Sequence, residues 1–346
     1  MKILNIYNSV SNTTIPYELE CYMLQIYKQD FFSHLCIKKS FSSLKNFLKI
    51  YQVIKKNDII HSHHTLSSII ASFYRVLFIG RGKVFFCTIH RDFRSFGLLK
   101  RLVYILLIFP FRDKIICNSR STQMSLPWLI RLFFSDRIVV IYNGVNLSDI
   151  NYSVNFPRDK INLINVGRLI PDKGQITLIK MCSILSEYKL NYHLTICGDG
   201  PLYEILGKEI EKRGLINRVT LLGNVERSII YQRLSDSSIY ISTSLTEGFG
   251  NSDVEAMAAG SPIIATSIPI RAEILNCQKL VFPIGDYREL SSIVMKLCND
   301  EKYFRETALS GLEKSKQFSL ESAANSYYSI YIDNMAKVRP NFSTAT

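Results

Sequence analysis

Short apolar runs alternate along the chain with stretches whose apolar residues recur at helical spacing. That is the pattern of parallel α/β sheets. In the first half the runs predict strands near 2–8, 34–38, 58–63, 83–89, 114–118 and 138–142. Helices are predicted near 17–30, 41–56, 66–79, 95–109 and 121–134. Phe41, Leu44, Leu48, Tyr51 and Ile54 stand at helical spacing, which makes that helix amphipathic. Asn143-Gly144 is a turn signal, and the polar stretch Asn151 to Asp159 with Pro157 separates two halves. The second half predicts strands near 161–166, 192–197, 218–222, 238–243, 262–266 and 279–282. Its helices fall near 173–187, 201–213, 226–235, 251–259, 286–298, 301–316 and 319–336. Two domains, 1–150 and 151–318, are expected, followed by a helix over 319–336 and a loose tail over 337–346.

Composition refines this picture. Hydrophobic content of 47% is ample for two cores. Met1 to Tyr7 reads as a strand start with neither the core nor the cleavage site of a signal peptide. The longest uncharged apolar run, Leu102 to Phe111, is well short of the roughly 20 residues that span a bilayer. The eight cysteines form no C-x-x-C pair, which favours a reducing cytosol and no structural zinc. Cys36, Cys87, Cys117 and Cys197 fall in predicted strands and are expected to be buried. Net charge is +13, and it is uneven. Residues 1–150 hold 20 Lys and Arg against 8 Asp and Glu, and the rest hold 22 against 21. A basic first half suits a polyanion, an anionic membrane surface or a lipid phosphate, or charge spread for solubility.

The chemistry concentrates in Glu247-Gly248-Phe249-Gly250-Asn251-Ser252-Asp253-Val254-Glu255. A strand leads in, and Asn251 or Ser252 is placed to cap the helix that follows. Two glycines let the main chain approach a ligand, and the free N–H groups at the helix start favour a phosphate. Glu247 and Glu255 offer carboxylates to sugar hydroxyls on either side. Ser252 and Glu255 equally fit a capping box, with Glu255 serving only the backbone. Arg168 closes one predicted strand and Lys173 opens the next helix, so two cations stand where a diphosphate would bind. Gly198-Asp199-Gly200-Pro201 is a strand-to-helix turn without the third glycine of a dinucleotide fingerprint. His61, His63 and His64 have a spacing that suits a metal, but three histidines without fixed tautomer partners read first as a surface cluster at a strand end, and His90 ends another strand. Leu98 to Phe111, with Lys100 and Arg101 near its start, reads as a core helix or as one lying in a membrane interface. No D-x-D triplet is present to hold a divalent metal.

The stretch Glu247 to Gly260, with Asn165 to Gly174, Cys197 to Pro201 and Leu222 to Val225, resembles the signature of retaining glycosyltransferases of family 4. In order and spacing the match covers roughly 161–275. The resemblance implies the α/β GT-B fold: two Rossmann-like domains whose parallel sheets face each other across a cleft, the last helix crossing back to the first domain. It implies transfer of a sugar from a nucleotide-diphosphate sugar to a glycan or lipid-diphosphate-linked acceptor in bacterial surface polysaccharide synthesis. On this reading Glu247 orients the donor sugar, His90 supports catalysis and Glu255 takes the ribose hydroxyls. Arg168 and Lys173 hold the diphosphate in place of a metal, with Gly248, Phe249, Gly250 and Asn251 at its side. Gly198 lies beside the nucleotide, and the backbone of Val225 meets the base. No cofactor beyond the donor is implied. The enzyme is expected in the cytoplasm, peripheral on the inner face of the plasma membrane. Ser9 to Thr14 lacks the Gly-Gly turn that many members carry for the acceptor. Two other readings remain: a nucleotide-sugar epimerase of the same fold, and a basic nucleic-acid-binding protein, although no nucleic-acid motif is present.

Overall fold

A computed structural model describes residues 1–7, 15–27, 32–36, 44–77, 82–275 and 280–338. Ser9 to Thr14 and the residues after Val338 lie outside the described residues. The chain forms two compact units: Met1–Gly144 with the chain from Leu320 on, and Val145–Ser319.

The first unit's described strands are β1 (Ile3–Tyr7), β2 (Phe32–Cys36), β3 (Ile59–Ser62), β4 (Val84–Ile89), β5 (Lys114–Cys117) and β6 (Ile138–Val140). They form a parallel sheet of order β2-β1-β3-β4-β5-β6. Parallel strands covered on both faces need continuous apolar runs, and β1 and β4 are buried at every position. The helix Leu320–Val338 packs on this sheet through Leu320, Tyr327, Tyr331 and Met335, against Ile3, Ile59 and Phe86.

The second unit's described strands are β7 (Ile161–Val166), β8 (Tyr192–Cys197), β9 (Val219–Gly223), β10 (Ile239–Ser242), β11 (Ile263–Thr266) and β12 (Val281–Phe282). They form a parallel sheet of order β12-β11-β10-β7-β8-β9. Its core joins Leu163, Leu194 and Ile241 to Leu178, Leu206 and Val294 of the flanking helices.

Several expected elements are cut shorter, each with a cause. The expected helix 121–134 is two helices, Arg120–Ser125 and Trp128–Phe133, because Pro127 cannot donate to the helical ladder. The expected helix 95–109 runs as Leu98–Val103, then a π-turn over Tyr104–Ile108, and tightens at Phe109–Phe111 around Pro110. Cys36 is exposed, unlike Cys87, Cys117 and Cys197, because β2 is an edge strand.

Candidate functional site

In an open α/β sheet, ligands bind at the carboxyl ends of strands where the winding reverses. In the second sheet that switch lies between β7 and β10. The segments after these two strands are stitched together. Leu245 N–H donates to the Asp172 carbonyl at 2.8 Å, and the Thr243 hydroxyl donates to the Lys173 carbonyl at 2.8 Å. Gly174 permits this approach. Its φ is +62°, and a Cβ there would lie 2.5 Å from the Thr243 carbonyl oxygen.

The stitching brings Lys173 and Glu247 together as an ion pair. The same carboxylate oxygen accepts from the Ser244 hydroxyl at 2.9 Å. Burial pushes the Glu247 carboxyl up, but Lys173, Arg271 and the Ser244 hydrogen bond outweigh it and hold it below the usual range. Glu247 is therefore ionised at neutral pH, half-buried, with a cation on one side.

Behind the pair lies a second one that the motif reading missed. Arg271 is fully buried, donates to the Ser242 hydroxyl at 2.6 Å and pairs with Asp253. Burial lowers the Arg271 pKa, and Glu247 and Tyr240 oppose that shift. Asp253 is on the first turn of the helix Asn251–Ala258, so the buried pair anchors the start of this helix to the sheet. The only signal in the sequence is an arginine directly after the strand and turn of Ile263 to Ile270.

The helix cap differs from expectation. Gly250, at φ +96°, is the N-cap and no side chain caps the helix, so neither Asn251 nor Ser252 does so. Glu255 does not close a capping box. Its carboxylate accepts from Arg227 at 2.6 Å, reaching the first residue of the helix Arg227–Asp236. Arg227 also lies over the Tyr231 ring, 5.5 Å from its centroid.

The other expected residues fall around the same strand ends. Arg168 is exposed just past β7, its carbonyl accepting from Gln175 at 2.9 Å. Val225 is half-buried between β9 and the helix Arg227–Asp236. Gly198 has a packing reason of its own, since a Cβ there would run into the Gly167 carbonyl. Gly198 N–H donates to the Gly223 carbonyl at 2.9 Å, which ties the turns after β8 and β9 together. Gly248 and Phe249 precede the cap, and Phe249 is buried edge-on against Phe318 at 5.3 Å.

In the first sheet the switch lies between β1 and β3, and there the histidines gather. They are not the expected surface cluster. His61 and His63 are buried, because β3 is an inner strand covered by Tyr327 and Tyr331. His61 bonds the Tyr331 hydroxyl and the Thr88 hydroxyl, each at 2.7 Å. His63 Nε2 lies 3.2 Å from Asn5 Oδ1, and its Nδ1 lies 3.4 Å from His90 Nε2. Burial, with neighbouring histidines adding to it, pushes His63 well below its ordinary value and His90 down to about 3. His61 also falls to about 3 for the same first cause. All three rings are neutral at physiological pH. Asn5 in turn bonds Glu20, which also accepts from the Tyr7 hydroxyl at 3.2 Å. A polar relay thus runs Glu20–Asn5–His63–His90. Asn5 Nδ2 donates to Glu20, so its Oδ1 accepts from His63 Nε2–H. His63 Nδ1 is then left to accept from His90 Nε2–H. Among the described residues, no group of three His, Cys, Asp or Glu is placed to hold a metal ion.

Comparisons with known proteins bear on this arrangement. A model of the glycosyl transferases group 1 matches residues 149–311, and a model of Glycosyltransferase Family 4 matches residues 22–149. The O-antigen biosynthesis glycosyltransferase WclY of Escherichia coli is 27% identical over 308 residues, covering 84% of this chain and 83% of WclY. The phosphatidylinositol N-acetylglucosaminyltransferase GPI3 subunit of Saccharomyces cerevisiae is 28% identical over 256 residues, covering 70% of this chain and 54% of that protein. Among solved structures, Anabaena HepE in complex with UDP and glucose matches with a TM-score of 0.81 at 19% identity. That match covers 96% of this chain and 100% of HepE.

Proposed function

Because the chain belongs to the group 1 and family 4 glycosyltransferases of the GT-B fold, we propose that it moves a sugar from a nucleotide-diphosphate sugar with retention of anomeric configuration. One observation carries this reading: Lys173 and Glu247 meet at the switch point of the second sheet. An ionised carboxylate there orients sugar hydroxyls. A cation beside it meets the diphosphate to which that sugar is joined.

Charge grows on the diphosphate as the sugar–oxygen bond breaks. Lys173, Arg168 and the amides from Gly250 onward then stabilise the transition state more than the ground state. We assign the neutralising role to these groups rather than to a divalent ion. Glu255, steadied by Arg227, takes the ribose hydroxyls, and Val225 and Gly198 flank the nucleoside. The departing phosphate oxygen accepts the acceptor's proton on the face where the new bond forms. His90 is the first unit's candidate for a catalytic residue.

The acceptor we favour is a bacterial surface glycan, free or carried on a lipid diphosphate. Support comes from the match to WclY over most of both chains and from the basic charge of residues 1–150. UDP-sugars head the list of donors, since HepE was solved with UDP and glucose. A melting-temperature screen against nucleotide sugars tests the reading, because a ligand that prefers the folded form raises the midpoint. No shift with any nucleotide sugar would sink it. An epimer formed from donor alone would replace transfer by isomerisation.

A further inference from the structure

Apart from Lys100 and Arg101, the segment from Leu98 to Phe109 is made of apolar and aromatic residues, yet it is buried on one side only. Tyr104, Ile108 and Phe109 enter the core with Cys87, Phe93 and Ile115. Leu98, Leu99 and Leu106 point outward, 74%, 79% and 64% exposed. An apolar helix surface belongs in a core or in an apolar medium, and this segment has a core for only part of its apolar surface. The helix Trp128–Phe133 repeats the arrangement. Ile130 enters the same core, while Trp128 is 65% and Phe133 72% exposed. The two elements share that core, and Phe93 N–H donates to the Ser125 hydroxyl at 2.8 Å between their approaches. Apolar patches of this kind mark interaction sites.

The surroundings identify the partner's charge. Lys100 lies 4.0 Å over the Phe96 ring, Arg101 donates to the Phe96 carbonyl at 2.7 Å, and Arg131 reaches Met124. Between Asp92 and Asp136 the sole carboxylate is Asp113, and it is engaged by Arg75 at 2.9 Å. A second copy of this face would bring cation against cation, which disfavours self-association. Among the described residues no helix is long and apolar enough to cross a membrane.

We propose that this face docks on the surface of an anionic bilayer. Leu98, Leu99, Leu106, Trp128 and Phe133 enter the boundary between headgroups and acyl chains, and Lys100, Arg101 and Arg131 meet lipid phosphates. The proposal is independent of which sugar is transferred. It gives the basic first half a specific place of contact.

Trp128 is the one tryptophan of the chain, so it reports directly on the contact. The full chain is mixed with phosphatidylcholine vesicles made with and without phosphatidylglycerol. With the anionic vesicles, Trp128 emission shifts to the blue and is quenched by brominated acyl chains. Neutral vesicles bind about tenfold more weakly, and salt weakens the anionic binding. Leu99→Glu with Leu106→Glu lowers partitioning about tenfold without lowering the melting temperature, since both side chains are exposed. Lys100→Glu with Arg131→Glu removes the preference for anionic lipid. An unshifted emission, equal binding to neutral vesicles, or a dimer that shields Trp128 without lipid would each overturn the proposal.

Discussion

Lys173 and Glu247 stand 74 positions apart in the chain and share an ion pair at the carboxyl ends of β7 and β10. Each is held by the other's loop, through Leu245 to Asp172 and Thr243 to Lys173. A carboxylate that must stay ionised while half-buried needs such a partner. Replacing Glu247 by Gln is expected to lower transfer by a factor of about 100 to 1,000, the scale of losing one preorganised electrostatic group. Binding of the nucleoside diphosphate should hold within about threefold. Steady-state kinetics beside calorimetry read both quantities, and unchanged transfer would end the assignment of Glu247.

Lys173→Ala is expected to weaken nucleoside diphosphate binding about tenfold, or roughly 1.4 kcal/mol, and to leave the nucleoside unchanged. The comparison isolates the phosphate contact. Equal losses for the two ligands would show that the substitution disturbs the site as a whole.

Glu255 is expected to read the ribose. Glu255→Ala should lower affinity for the ribonucleoside diphosphate about tenfold and spare its dideoxy analogue. Equal losses would mean that the bond from Arg227 serves helix packing alone.

Asp253→Ala leaves the Arg271 guanidinium buried without its partner. The expected cost is about 3–5 kcal/mol, a fall in melting temperature on the order of 10 °C. Adding Arg271→Met should restore part of it, because an uncharged side chain in that place needs no counter-ion. Scanning calorimetry of the single and double variants checks both steps.

His61, His63 and His90 carry folded-state pKa values below 6.5. As pH falls below 6.5, the unfolded chain takes up protons that the folded chain refuses. The stability of the neutral cluster is thus complete above that pH and is lost between about 6.5 and 3. Protonation of the cluster should cost on the order of 2 kcal/mol or more by pH 5. Urea midpoints at about pH 7 and about pH 5 measure the loss, and His61→Gln should shrink it. A midpoint that does not move with pH would show that the cluster is not held neutral.

Part of the candidate site's local geometry is legible in the sequence. Glu247, Gly250 and Glu255 stand in one contiguous stretch, because a strand, a tight turn and a helix start need those residue types in that order. Arg271 was not legible, since nothing near it in the chain announces that Asp253 will be its neighbour. The histidines misled for a related reason. Three of them at a strand end resemble a surface, and only the position of β3 inside its sheet, under the Tyr327–Tyr331 face, buries His61 and His63. Cys36 shows the reverse, an expected core residue left outside on an edge strand.

The sequence by itself determined the alternation of strands and helices, the family and the residue types at the strand ends. These follow from local periodicity, turn chemistry and short-range spacing, which act within a few residues. Only the tertiary structure decided the partners: Lys173 with Glu247, Arg227 with Glu255, Asp253 with Arg271, and His63 with both Asn5 and His90. Such pairs depend on which strands lie side by side. Sheet order is chosen by long-range packing of whole apolar faces, and no local pattern encodes it.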